Sequence, residues 1–211
     1  MGNIDVLISE LTQDTAKVKL APHPFMLSIV WMVGAAVYLA VTLMIFGTRH
    51  DLLLKFHDPW FVAEIVVLIG ITIATSLSAA LLSYPDLHQM RHIVFAPVVT
   101  LALFVLVMFF AWRADDPPAP LPMHSFECTV GIVLFSLLPA GWTLYVMRKF
   151  ASTHYRWAGS IALLYAFSVG ALWVRLHEQA DSIIHAIEWH YLPMIGFGIV
   201  GMWLGKVVLK W

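Results

Sequence analysis

The sequence predicts an all-α fold: a polytopic membrane protein built as a six-transmembrane-helix bundle with a short N-terminal amphipathic arm. Three observations predict it. Of 211 residues, 61% are hydrophobic and only 12% charged, whereas a soluble domain is roughly half apolar and about a quarter charged. Six apolar runs each come close to the ~20 residues that a helix needs to cross ~30 Å of hydrocarbon. These runs are unbroken rather than alternating, which excludes a barrel, the other structure that satisfies its backbone in lipid. The connections are short enough to leave one membrane domain, 25–211, behind an arm at 1–24. A net charge of −1 gives no nucleic-acid signal, and the single cysteine, Cys128, allows no intrachain disulfide. The N-terminal tail is acidic and polar, with Asp5, Glu10 and Asp14, so a cleaved signal peptide is not expected.

The arm comes first. Ile4, Leu7, Ile8 and Leu11 fall at i, i+3, i+4 and i+7 and make one apolar stripe on a helix over about residues 3–14. Asn3 suits its N-cap and Asp5 its first turn. Isolated helices shorter than ~12–15 residues are marginal in water, so the stripe needs a partner. The membrane surface is one candidate. Helices that lie on membranes tend to carry Lys and Arg on the polar face, and this one carries Asp and Glu, which favours a protein. Pro22 and Pro24 stop any helix before the bilayer.

Spans are expected at about 25–47, 60–83, 93–112, 128–147, 157–176 and 190–209. Lys and Arg orient them. One side holds Lys17, Lys19, Arg91, Arg148, Lys149, Arg156, Lys206 and Lys210; the other holds Arg49, Lys55, Arg113 and Arg175. The excess puts both termini in the cytoplasm. Ala158, Ala162, Ala166 and Gly170 step by four along the fifth span, and Gly201 and Gly205 form a GxxxG in the sixth. Small residues at this spacing let backbones approach, within one bundle or across a homo-oligomer interface. Pro97, Pro139 and Pro193 are candidate kinks.

Polar residues are few enough to weigh singly. On a helix over 177–190, His177, Asp181, His185 and Glu188 share one face, either solvated or ligating a metal. His190 lies close by. Cys128 opens the fourth span beside His124 and Glu127, where a thiol is either accessible to oxidants and soft metals or simply a small apolar residue. Glu64 lies inside the second span, where ionisable groups are expensive. Arg175, at the same end of the fifth span, is its natural partner. The sequence shows no nucleotide-binding loop and no catalytic triad.

With these residues placed, the chain resembles the NrsF-type anti-sigma factors, a bacterial inner-membrane family. The resemblance runs through the tail IDVLISELTQDTAKVKLAP, then GTRHDL and DPWFVAE, and is strongest in ECTVGIVLFSLLP, RKFASTHYRWAGS, LHEQADS, EWHYLPM and the final LKW. It implies a non-enzymatic protein that holds an extracytoplasmic-function sigma factor at the membrane and releases it on an outside stress, metal or oxidant. The stripe Ile4, Leu7, Ile8 and Leu11 would meet the sigma factor, without direct contact to nucleic acid. It implies no resident cofactor; zinc or another soft metal would enter as signal. The family carries a second Cys after the His of its LH pair, where this chain has Glu178. A sensor here would need mixed ligands: Cys128 with His177 and Glu178, or a metal set of Cys128, His124, His177 and His185. Two rival functions stay open from the residues alone, a small transporter or channel using Glu64 and a membrane redox-enzyme subunit.

Overall fold

The computed structural model describes residue 4 and residues 6–9, 21–85, 90–114 and 126–210. Six helices among these are long and apolar enough to cross a membrane. Their regular α-helical parts are α1 (Pro24–Phe46), α2 (Pro59–Leu82), α3 (Ala96–Ala114), α4 (Phe126–Met147), α5 (Tyr155–His177) and α6 (Pro193–Val208), the third crossing starting at His92 and the sixth at Ile183. A turn of helix, Arg91–Val94, leads into α3. A short helix, Ile183–His185, and a π-helical segment, Ala186–Tyr191, lead into α6. Six crossings return the chain to its starting side, so the start of α1 and the end of α6, which lead to the termini, share one end of the bundle. The opposite end carries the α1–α2 connection, the start of α4 and the α5–α6 connection.

Local chemistry sets the helix ends. His23 and Asp58 accept the amides of Phe25 and Trp60 ahead of α1 and α2, each with proline at the first helical position. Gly47, at φ 87°, lets the chain leave α1 in a conformation that other residues resist.

Helix α5 is the hub. It is buried without interruption from Ala158 to Arg175, and it packs against α6, α4, α2 and α1. Its sequence mixes small and hydroxyl residues with bulky ones, and in lipid those are the residues that belong inside a bundle. Outward faces carry plain aliphatic and aromatic side chains, such as Val33, Val37 and Val41 on α1 and Val99, Leu106 and Phe110 on α3.

The small residues are used within the chain. A Cβ on Gly201 would lie 2.6 Å from the Gly159 carbonyl oxygen, and a Cβ on Gly205 would overlap the Tyr155 carbonyl. Helices α5 and α6 therefore touch backbone to backbone. On another face of α5, a Cβ at Gly170 would lie 2.6 Å from the Ile132 carbonyl oxygen of α4. Hydroxyls stitch the remaining contacts: Ser28 with Ser76 at 3.0 Å, Thr72 to Ser168 at 3.0 Å, and Tyr165 to the Trp31 carbonyl at 2.7 Å.

Two prolines free carbonyls that other helices then occupy. Pro139 lies inside α4 and has no N–H for the Phe135 carbonyl. Pro193 likewise denies an amide to the Trp189 carbonyl, and the Thr129 hydroxyl of α4 donates to that oxygen at 2.6 Å.

The expected single helix over 177–190 does not form. Helix α5 stops at His177, residues 178–182 are irregular, and the π-helical turn follows. The backbone there is claimed by side chains. Glu178 accepts the amides of Gln179 and Ala180, and Arg175 Nη1 donates to the Ala180 carbonyl at 3.1 Å. His177, Asp181, His185 and Glu188 therefore do not line up on one helix face.

Candidate functional site

The polar residues gather at the end of the bundle opposite the termini. The α1–α2 connection is clamped there to the α5–α6 connection. Arg49 is 2% exposed and grips Asp51 with two bonds, Nε to Oδ1 at 2.7 Å and Nη2 to Oδ2 at 2.8 Å. Its Nη2 also reaches Asp181 Oδ1 at 2.8 Å, while Lys55 holds the other Asp181 oxygen at 2.8 Å. The Arg49 amide donates to the Leu176 carbonyl at 3.0 Å. The guanidinium beside Asp51 holds its carboxyl well below the ordinary value, at about 2, and the same bonds raise Arg49.

Just beneath lies a buried charge pair. Glu64, in the second turn of α2, and Arg175, in the last turn of α5, are 2% and 4% exposed and meet at 2.8 Å. Tyr191 donates its hydroxyl to the same Glu64 oxygen, and the Arg175 guanidinium sits 5.0 Å from the centre of the Phe61 ring. A cavity of about 220 Å³ opens beside the pair, lined in part by Lys55, Asp58, Glu64, Arg175 and Asp181. An ion pair out of water needs such added bonds to offset desolvation.

The third group is Cys128, His185 and His190. In a regular α-helix, residues five apart project about 140° from each other. The π-helical hydrogen bonds run i to i+5 and turn such residues to one side. His185 stands immediately before this segment and His190 within its last turn, and their rings meet edge to face with centroids 5.0 Å apart. Cys128 faces them from the first turn of α4; one ligand atom from each of the three lies within 4.8 Å of the others. Both imidazoles have no exposed surface, and among the described residues none of their four ring nitrogens has a hydrogen-bond partner. Leaving buried polar groups unpaired costs roughly 1–3 kcal/mol each, so this is an expensive arrangement for packing alone.

The residues singled out from the sequence fall in separate places. Ile4, Leu7 and Ile8 are helical and exposed, at 67%, 55% and 54%. Leu11 and His124 lie outside the described residues. Cys128 and Glu178 do meet, the thiol donating to Oε2 across 3.9 Å. His177 is not with them. Its Nδ1 is 2.8 Å from the Gly47 carbonyl oxygen and its ring stacks on Trp173, so the end of α1 occupies it. Asp181 belongs to the Arg49 clamp, and Glu188 is exposed. Sequence reasoning placed His190 close by but left it out of the ligand set, and it missed Tyr191. Regular α-helical spacing puts His190 off the His185 face, and the available hint was Pro193, which disturbs the helix register behind it.

The family described as NrsF, negative regulator of sigma F, matches residues 11–211 of this chain. The chain is also similar to the anti-sigma-F factor NrsF of Caulobacter vibrioides (strain NA1000 / CB15N), at 25% identity over 98% of this chain and 99% of the relative. No solved structure matches.

Proposed function

The chain belongs to the NrsF family, the negative regulators of sigma F, and from that premise we propose that it is a membrane-bound anti-sigma factor. It holds an extracytoplasmic-function sigma factor at the bacterial inner membrane through Ile4, Leu7, Ile8 and Leu11, and releases it on an extracytoplasmic stress, metal or oxidant. The observation that carries the reading is the extent of the family match, residues 11–211. The family is a regulatory, non-enzymatic kind of protein, which supports a regulatory reading of this chain over an enzymatic one. The exposed apolar residues Ile4, Leu7 and Ile8 support the arm as the retaining element. The excess of Lys and Arg at the end carrying the termini supports a cytoplasmic arm, where a sigma factor is found.

The distribution of buried charge favours regulation over transport. Among the described residues, the buried Arg49, Glu64 and Arg175 all sit at the end opposite the termini. Toward the middle, the buried Thr72 and Thr75 are neutral hydroxyls, Thr72 meeting Ser168 and Thr75 bonding the Ile71 carbonyl of its own helix.

Detergent extraction of the tagged chain, followed by identification of what co-purifies, tests the proposal. The parent should bring down a sigma factor. Leu7→Asp combined with Leu11→Asp should lose it while inserting normally, because a charge buried in an apolar contact costs several kcal/mol. Retention by the double variant would move the binding element off the arm. A parent that retains no sigma factor would overturn the function.

A further inference from the structure

We propose that Cys128, His185 and His190 form a binding site for one divalent cation of the zinc type. One donor atom from each lies within 4.8 Å of the others. Zinc bound to thiolate and imidazole places its donors roughly 3.3–3.8 Å apart. The widest of the three separations therefore needs to close by up to about 1.5 Å, a distance that side-chain rotation covers.

The surroundings argue for a ligand rather than for packing. Both imidazoles are completely buried, yet among the described residues their four ring nitrogens have no hydrogen-bond partner. A neutral imidazole presents one donor and one acceptor. The two rings stand edge to face instead of bonding each other. A cation would take a lone pair from each ring and from the thiolate. Glu178 stands beside the thiol, its Oε2 3.9 Å from the sulfur, and its side chain is partly exposed.

The donor set selects the metal. One thiolate with two imidazoles and a carboxylate suits zinc, and cobalt as its spectroscopic substitute. Magnesium and calcium prefer all-oxygen ligands. Disulfide chemistry within the chain is closed, because Cys128 is the single cysteine.

The backbone is already arranged to present these donors. Thr129, next to Cys128, is bonded to the Trp189 carbonyl, next to His190. A bound cation would add a second link between the start of α4 and the segment that feeds α6. As the site of the stress signal the proposal rests on the anti-sigma reading; as a metal site it stands without it.

The test is a cobalt titration of the full chain, purified in detergent and reduced. One equivalent should bind, with a thiolate-to-cobalt charge-transfer band in the near ultraviolet and the visible bands of tetrahedral cobalt. Zinc should displace it. Cys128→Ser should abolish the charge-transfer band. His185→Asn and His190→Asn should each weaken binding at least tenfold. His177→Ala, outside the cluster, should bind like the parent, which separates this site from the His177-containing set. A folded parent that shows no saturable bands would overturn the proposal, as would bands that persist in both His185→Asn and His190→Asn. Sigma-factor retention, scored separately by co-purification, fails or succeeds independently of these spectra.

Discussion

Tyr38 on α1 donates its hydroxyl, at 3.1 Å, to the Phe135 carbonyl that Pro139 leaves without an amide partner in α4. The proline creates the acceptor, and a residue about a hundred positions earlier uses it. The pair gives a double-mutant cycle. Tyr38→Phe alone should destabilise the bundle by about 1–2 kcal/mol, since it strands a buried carbonyl. In a Pro139→Ala background, where the amide returns, the same change should cost much less. Thermal unfolding in micelles measures both, and equal costs in the two backgrounds would show that Tyr38 does not answer to Pro139.

The Glu64–Arg175 pair predicts an asymmetry of a different kind. Arg175→Met should destabilise by ~3–5 kcal/mol, because it leaves a buried carboxylate unpaired. Adding Glu64→Leu should recover most of that loss, as apolar replacement of a whole buried pair is often neutral. Tyr191→Phe, which removes one bond to the carboxylate, should cost less than Arg175→Met. A double variant no more stable than Arg175→Met would contradict the pairing.

Glycines divide into two classes by what a Cβ would meet. Gly205→Ala should separate α5 from α6, at a cost of about 1–3 kcal/mol, because the new Cβ would overlap the Tyr155 carbonyl and approach Gly159 Cα. Gly70→Ala on α2 meets nothing within 4 Å and should stabilise by about 0.4–1 kcal/mol through the unfolded chain. Midpoints of thermal unfolding that move the same way for both would undo the backbone-contact account of α5 and α6.

Acid should leave the Arg49 clamp until late. The Asp51 carboxyl is lowered from 3.8 to about 2, first by its bonds to Arg49. A carboxyl lowered in the folded state contributes stability that is full above its unfolded value and is lost as pH falls through the folded one. The contribution should therefore hold above pH ~4 and fade toward pH 2. A carboxyl-carbon NMR titration in micelles should put the Asp51 midpoint near 2, and Arg49→Gln should raise it toward ~3.9. An Asp51 midpoint that ignores Arg49→Gln would show the clamp open in solution.

The sequence by itself determined the helices of this protein. An apolar run near membrane thickness can satisfy its backbone as a helix, so hydropathy and length were enough to place α1 to α6. Capping residues such as Asp58 and stops such as Gly47 act over a few positions and are readable in order. The small-residue steps on α5 and α6 were visible too, and so was the natural pairing of Glu64 with Arg175, since both are costly inside a span at the same end. Tertiary structure alone decided the rest. Hydropathy cannot tell a lipid-facing residue from an interior one, because lipid tails are as apolar as a core; the small residues of α5 signalled close packing, but not that four other helices would pack around it. Arg49 meets Asp181 across the whole domain, a contact no local pattern encodes. The Cys128–His185–His190 cluster needed the π-helical turn, where backbone register departs from the period on which a helical reading depends. That departure brought His190 in, while the break after α5 and the Gly47 carbonyl held His177 out of the group.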